Sequence, residues 1–384
     1  MNRSLLWLGG SLFLWGVGES MFLMFQPVYL QEMGAGPIQI GAILGAFGAA
    51  MALTHIPAGY LSDRMGRRPM LIAAWIVGLL STLLMAIAQN LTLLVVGLLL
   101  YGFTAFVASP LNSYTTAARG NWSVGRALTF VSMMFNAGAV IGPLIGGRVA
   151  DERGFRMVYF IAAAIFVIST LAVLRVPPQG RDSHDPNDPP ARLLRNREYL
   201  TFLAVFFFVA FAAYIPQPLT PNYLRNQQGF SLSEIGQLIS LAYLGTTVLN
   251  LVLGQLKAKT GFLLGQICVA GFSALMWQGL GFAWFAAGYF LLGGYRPLRS
   301  LGSAQVRGFV HKSQMGVAYG VAETFAAVSM LLAPPLAGVL YARDPGIMYP
   351  TALALIGAGV FITMALVPSH RVLPPERIEL MVDP

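Results

Sequence analysis

Apolar runs of about 20 residues, the length a helix needs to cross roughly 30 Å of hydrocarbon at 1.5 Å per residue, recur along this whole sequence with short polar interruptions. Twelve such runs can be drawn: 5–30, 37–61, 69–89, 91–115, 126–149, 154–175, 198–224, 232–256, 262–280, 282–306, 314–342 and 346–368. Composition agrees, since the 384 residues are 56% hydrophobic and 10% charged with a mean hydropathy of +0.67, far from a soluble domain. The expected fold is an all-α membrane protein of twelve spans. The opening MNRSLLWLGGSLFLWGVGES has a positive start, but no small-residue cleavage site follows and apolarity runs on to Leu30. It is read as the first span rather than a leader.

The net charge of +9 raises the question of nucleic acid, and the placement of the charges answers it. Arg148, Arg153, Arg156, Arg225 and Arg343 are the only basic residues on one side of the predicted topology, and Arg296 and Arg299 lie within a span. The other seventeen of the 24 lysines and arginines lie on the opposite side. The positive-inside rule then puts both termini in the cytoplasm of a multi-pass protein of the plasma (inner) membrane, with the lipid bilayer rather than nucleic acid as its partner. Cys268 is the single cysteine, and His55, His184, His311 and His370 are scattered. Neither a disulfide framework nor a metal site is expected. Without a Ser/His/Asp or Cys/His nucleophile arrangement or a G-x-x-x-x-G-K-[ST] phosphate loop, the sequence predicts neither an enzyme nor an ATP-driven pump, and no cofactor.

The stretch VPPQGRDSHDPNDPPARLLRNRE, residues 176–198, is the one long polar, proline-rich break. It divides the chain into a six-span unit at 1–176, a cytoplasmic linker at 177–197, a second six-span unit at 198–370 and a tail at 371–384. The two units repeat: Ile40-Gly41 recurs as Ile235-Gly236, Gly59 as Gly254 and Gly66 as Gly261, all at an offset of 195. PVYL at 27–30 returns as PNYL at 221–224, SPL at 109–111 as RPL at 296–298, and GPLIG at 142–146 as PPLAG at 334–338. A duplicated bundle implies two six-helix bundles related by a pseudo-two-fold axis along the membrane normal, the architecture of alternating access. A non-transporting receptor is the reading of another class.

The loop after the second span reads GYLSDRMGRRP, Gly59 to Pro69, and resembles the G-x-L-x-D-R-x-G-R-R pattern of the major facilitator superfamily at every fixed position. The resemblance implies that Gly59, Asp63, Arg64, Gly66, Arg67 and Arg68 gate the transporter, with Asp63 against the start of the eleventh span near Ser313 to Met315. The arginines also serve any cytoplasmic loop as topological charges. The second unit has Ala258 in place of Asp63. GAVIGPLIGG in the fifth span, with Gly138, Gly142, Pro143, Gly146 and Gly147, resembles the G-x-x-x-G-P-x-x-G-G signature of the antiporter branches, including drug/proton antiporters. In physical terms the glycines make a smooth contact face and the proline bends the helix. One departure is Leu98, where drug/proton antiporters usually carry arginine in the fourth span.

Glu19, Arg296, Arg299 and Glu323 lie well inside predicted spans, where an ionisable group left facing lipid costs several kcal/mol and so faces a cavity or a partner. Glu19 lies near the middle of the first span, which lines the central cavity in the family, as do the fourth, seventh and tenth. It is the expected proton-coupling residue, with Glu323 second; a structural carboxylate is the alternative. Arg296 and Arg299 share a helix face at a place loosened by Gly293, Gly294 and Pro297. The expectation is that Arg299 pairs with Glu323 while Arg296 faces the cavity, opposite Glu19. Gln26, Tyr29, Asn112, Asn136, Tyr214 and Gln217 are expected to complete the substrate site, although most buried polar residues of this kind are interhelical glue. The resemblance implies a secondary active transporter, acting as a monomer, that exchanges protons for small amphipathic or drug-like molecules by efflux. An organic-anion or lysolipid carrier using Arg296 and Arg299 is the alternative within transport.

Overall fold

A computed structural model describes residues 3–179, 196–310 and 315–367, with backbone alone at 55–65 and 315–317. Among these residues the chain is helical and forms the twelve expected spans. The first unit comprises α1 (Arg3–Glu32), α2 (Pro37–Met65), α3 (Arg67–Ile87), α4 (Leu91–Ala117), α5 (Val124–Arg153) and α6 (Phe155–Leu174). The second comprises α7 (197–226), α8 (Leu232–Leu253), α9 (Ala258–Gln278), α10 (282–305), α11 (Met315–Arg343) and α12 (Met348–Leu366). The face with the chain ends is called here the terminal face, and its opposite the distal face.

Local chemistry sets the ends. Asn90, Ser123, Asn196 and Ser231 cap α4, α5, α7 and α8 by accepting a backbone N–H from the first turn, and Ser231 forms a reciprocal capping box with Glu234, satisfying donors the helix leaves open. The turn between α2 and α3 needs Gly66, whose φ of +88° is readily adopted only without a Cβ.

Three spans read from the sequence as continuous, α1, α4 and α7, are interrupted, and so is α10 at the place its glycines loosen. α1 passes through a 3-10 turn at Leu23–Phe25, and α4 through another at Thr104–Val107. α7 breaks after Tyr214 around Pro216 and Pro218, and α10 between Phe282–Leu292 and Tyr295–Gln305 at Gly293 and Gly294. Eleven of the described spans are apolar and long enough to cross a bilayer; α10, cut into two pieces of 11 residues, is the twelfth. Apolar run length sees none of these breaks, because the interrupting residues are themselves apolar or small. Broken helices persist at membrane depth only where protein or water takes up the freed backbone groups, and here they fall at corresponding places in the two units.

Within the first bundle, Gly138, Gly142 and Gly146 form one face of α5, and a Cβ at any of them would overlap α1 at Phe13 O, Val17 O or Met21 O. The bundles meet along two seams toward the distal face. In one, a Cβ at Gly147 of α5 would overlap Leu232 O, and one at Gly236 of α8 would overlap Pro143 O. In the other, a Cβ at Gly45 or Gly48 of α2 would sit 2.7 or 2.6 Å from Leu331 O or Met330 O, and one at Gly338 of α11 would sit 2.6 Å from Pro37 O. The repeated Ile-Gly and G/P-P-L-x-G sequences are therefore these two seams, seen twice. One buried apolar cluster accordingly runs from the first bundle into the distal part of the second, while Tyr199, Phe206, Phe262 and Leu298 belong to a separate cluster nearer the terminal face. Leu80, Leu171, Leu251 and Phe361, exposed by 58–73%, face lipid.

Candidate functional site

On the terminal side of these seams, polar side chains are exposed on spans of both bundles: Thr129 and Ser132 on α5, Arg296 and Ser300 on α10, Glu323 on α11. Polar side chains at this depth face water or one another, so these residues mark a candidate cavity on the terminal side of the two seams.

Glu19 of α1 is half-buried and held by two neutral donors. Trp15 Nε1, one turn back on the same helix, donates to Glu19 Oε2 at 2.9 Å, and the Tyr101 hydroxyl of α4 donates to the same oxygen at 2.6 Å. The Trp15 ring stacks on Phe166 at 4.3 Å between centroids and lies 4.9 Å from that of Trp75, so packing fixes the donor. Among the described residues Glu19 has no salt bridge, and its Oε1 takes no hydrogen bond. Trp15 could have been found from its i, i+4 spacing to Glu19; Tyr101 comes from another helix and carries no such signal.

On the opposite wall Arg299 Nη2 meets Glu323 Oε2 at 2.9 Å, and Ser303 Oγ donates to Glu323 Oε1 at 2.7 Å. Arg299 and Ser303 stand four apart on α10, so one face of that helix grips both carboxylate oxygens. Arg299 Nη1 also approaches Met330 Sδ at 3.5 Å. Arg296 is different. Its nearest polar partner is the neutral Asn136 Oδ1, at 3.4 Å across the gap between the bundles, and its Cζ lies 5.8 Å from the Phe135 ring and 5.7 Å from the Tyr243 ring. Tyr243 of α8 lies within electrostatic range of both Arg296 and Glu19.

The remaining expected site residues scatter. Asn136 is buried and also donates to Ser132 O at 2.8 Å. Tyr214 packs on Tyr295, centroids 5.7 Å apart, within electrostatic range of Arg299. Gln217 donates to Ala213 O at 2.7 Å. Gln26 is buried in the first bundle with Nε2 3.7 Å from Met85 Sδ, and Tyr29 is buried against Phe155 and Tyr159. Asn112 is exposed on α4. Of the gating set, Arg67 Nη1 donates to Gln179 Oε1 at 3.1 Å and Arg68 Nη2 to Leu174 O at 3.0 Å, tying the α2–α3 loop to the end of α6. The side chains of Asp63 and Arg64, and Ser313, lie outside the described residues, and Gly59 is described as helical backbone alone.

The distal seam has polar contacts absent from the sequence reading. Asp151, at the end of α5, accepts from Leu232 N at 3.0 Å and Ser233 N at 2.7 Å, capping α8 from the other bundle. Asn222 of α7 donates to Pro27 O at 3.0 Å and to Gln31 Oε1 at 2.6 Å.

The sequence profile of the Major Facilitator Superfamily matches residues 8–296 and 204–379. Multidrug resistance protein 2 of Bacillus subtilis is 23% identical over 366 residues, 90% of each chain. The class B tetracycline resistance protein of Escherichia coli is 27% identical over 350 residues, 85% of each chain. Among solved structures, the nucleoside transporter NupG aligns with a TM-score of 0.77 at 14% identity, over 95% of this chain and 98% of that one. A bacterial homologue of the human lysosomal transporter Spinster aligns at 0.72 and 18% identity, over 94% and 93%. At such identities these structures speak for the fold alone. The profile spans both bundles, and with the twelve-span fold it establishes that the chain belongs to the Major Facilitator Superfamily: a multi-pass membrane transporter of small molecules, not an enzyme.

Proposed function

We propose that this transporter exports amphipathic, drug-like molecules in exchange for protons, working as a monomer by rocking the units 1–176 and 198–370 against each other. The distal face is then external and the terminal face cytoplasmic, and the described conformation is closed outside and open to the cytoplasm. The carrying observation is Glu19: a carboxylate inside the membrane, beside the candidate cavity, held by neutral donors and, among the described residues, by no cation. Such a group is free to exchange a proton for a substrate, whereas a salt-bridged carboxylate is already compensated. Glu323, gripped by Arg299 and Ser303, is assigned a static pairing role rather than a second proton step. The names of the relatives, two of them resistance proteins, support drug-like cargo, and the α2–α3 loop motif supports gating at the cytoplasmic side.

The test is transport in proteoliposomes. With a pH gradient imposed, wild type should accumulate a fluorescent amphipathic drug and release protons on drug addition. Glu19→Gln should keep counterflow but lose the gradient-driven component. Unaltered gradient-driven uptake in Glu19→Gln would refute the assignment.

A further inference from the structure

Two intramembrane charges in this cavity satisfy each other, and two do not. Arg299 and Glu323 form a 2.9 Å ion pair closed off by Ser303. Arg296 is exposed and has one long contact to a neutral amide oxygen, and Glu19 has one oxygen with no hydrogen bond among the described residues. A cation and an anion at this depth, each lacking a counter-charge in contact, are costly unless water or a ligand supplies one. They sit in different bundles, yet Tyr243 lies within electrostatic range of both, with its ring on Arg296. Phe135 flanks Arg296 from the other bundle, so the surroundings of the guanidinium are aromatic on both sides.

We propose that the preferred cargo is a zwitterion built on an aromatic body, its anionic group on Arg296, its ammonium on Glu19 and its body against Tyr243 and Phe135. This rests on the export reading and names its substrate class. A carboxylate would meet the guanidinium through charge-assisted hydrogen bonds. An ammonium at Glu19 would occupy the position a proton takes, which makes cargo and proton competitors. The groups facing Glu19 are Trp15 of α1, Tyr101 of α4 and Tyr243 of α8, and those facing Arg296 are Phe135 and Asn136 of α5 and Tyr243. None carries a charge at neutral pH, so the zwitterion meets one opposite charge at each end.

The experiment varies the ligand on intact wild-type protein, which removes the risk of misfolding. Norfloxacin carries a carboxylate and a secondary ammonium; its ethyl ester keeps only the cation and its N-acetyl derivative only the anion. Affinity by tryptophan quenching and uptake into proteoliposomes should favour norfloxacin over either derivative by roughly tenfold or more, the scale of one charge-assisted hydrogen bond. Arg296→Gln should bring norfloxacin down to the level of its ester. Glu19→Gln should do the same toward the N-acetyl compound. If the ester binds and moves as well as norfloxacin, the zwitterion proposal is overturned while proton-coupled export stands. If none of the three binds, the proposal falls. If they bind but no pH gradient drives them, the export reading itself fails.

Discussion

Asp151 offers a direct handle on the conformational equilibrium, because its two hydrogen bonds to Leu232 N and Ser233 N exist only while α5 and α8 are in contact. A side-chain cap on a helix N-terminus is worth about 0.5–2 kcal/mol, and the charge adds about 0.3–1 kcal/mol against the dipole. Arg225, 4.0 Å away with both side chains partly exposed, adds little. Removing Asp151 should therefore weaken the distal-closed state by about 1–2 kcal/mol, which is about 5- to 30-fold in the closed-to-open ratio. The only cysteine, Cys268, can be changed to serine and spin labels placed at Arg153 and Gln227, on opposite bundles at the distal face. Under conditions that populate both states, Asp151→Ala should move the distance distribution toward the long component. Asp151→Asn, which keeps an acceptor but not the charge, should fall between Ala and wild type. A distribution for Asp151→Ala that superimposes on wild type would show that the cap does not hold the gate.

Two further outcomes follow from the packing. Gly142→Ala places a methyl against Ser20 and Val17 inside one bundle, whereas Gly236→Ala places one against Pro143 across the seam. The first should lower thermal stability by about 1–3 kcal/mol, the usual scale of overpacking, and the second should instead open the distal seam in the same spin-label experiment; equal losses of melting temperature would contradict that division. Glu323→Gln strips Arg299 of its counter-charge and should destabilise the protein more than the double change with Arg299→Met, since an orphaned charge is worse than none. Binding of norfloxacin should survive the double change, and its loss would draw the pair into the cargo site.

Span count, the duplication and the Arg299–Glu323 pairing were legible in the sequence, each through a signal that is local or periodic. Twenty apolar residues announce a span wherever they occur, and two charges at one depth on neighbouring spans of a bundle have few other partners. The breaks in α1 and α4 were not legible, because Leu23–Phe25 and Thr104–Val107 consist of residues that suit a continuous span as well as an interrupted one, whereas the break in α7 was signalled by Pro216 and Pro218, which run length alone passes over. The break in α10 was foreshadowed by adjacent glycines. Tyr101 and Tyr243 escaped notice because tyrosines are common in spans, and only the tertiary fold decides which of them meets a charge. Gln26 and Tyr29, lesser candidates on α1 beside Glu19, are packed among Met85, Phe155 and Tyr159.

The two units are alike where the molecule has to move and unlike where it has to recognise. The seams are copies: Gly41 and Gly236 each sit where a Cβ would overlap a proline carbonyl, Pro334 O in one case and Pro143 O in the other. Backbone against backbone at these glycines is a contact that can separate and re-form with little repacking, and two equivalent copies would let the proposed rocking motion release both. The charges have no such symmetry. In the register set by PVYL and PNYL, Ala213 takes the place of Glu19, and in that set by SPL and RPL, Ser109 takes the place of Arg296. An anion in one bundle and a cation in the other separate when the bundles rock apart, so a ligand bridging them feels the motion directly. A neutral ligand held by one bundle would not. The difference in affinity between the two conformations is what any coupled transporter must generate, and the proposed cargo, touching both charges, would supply it.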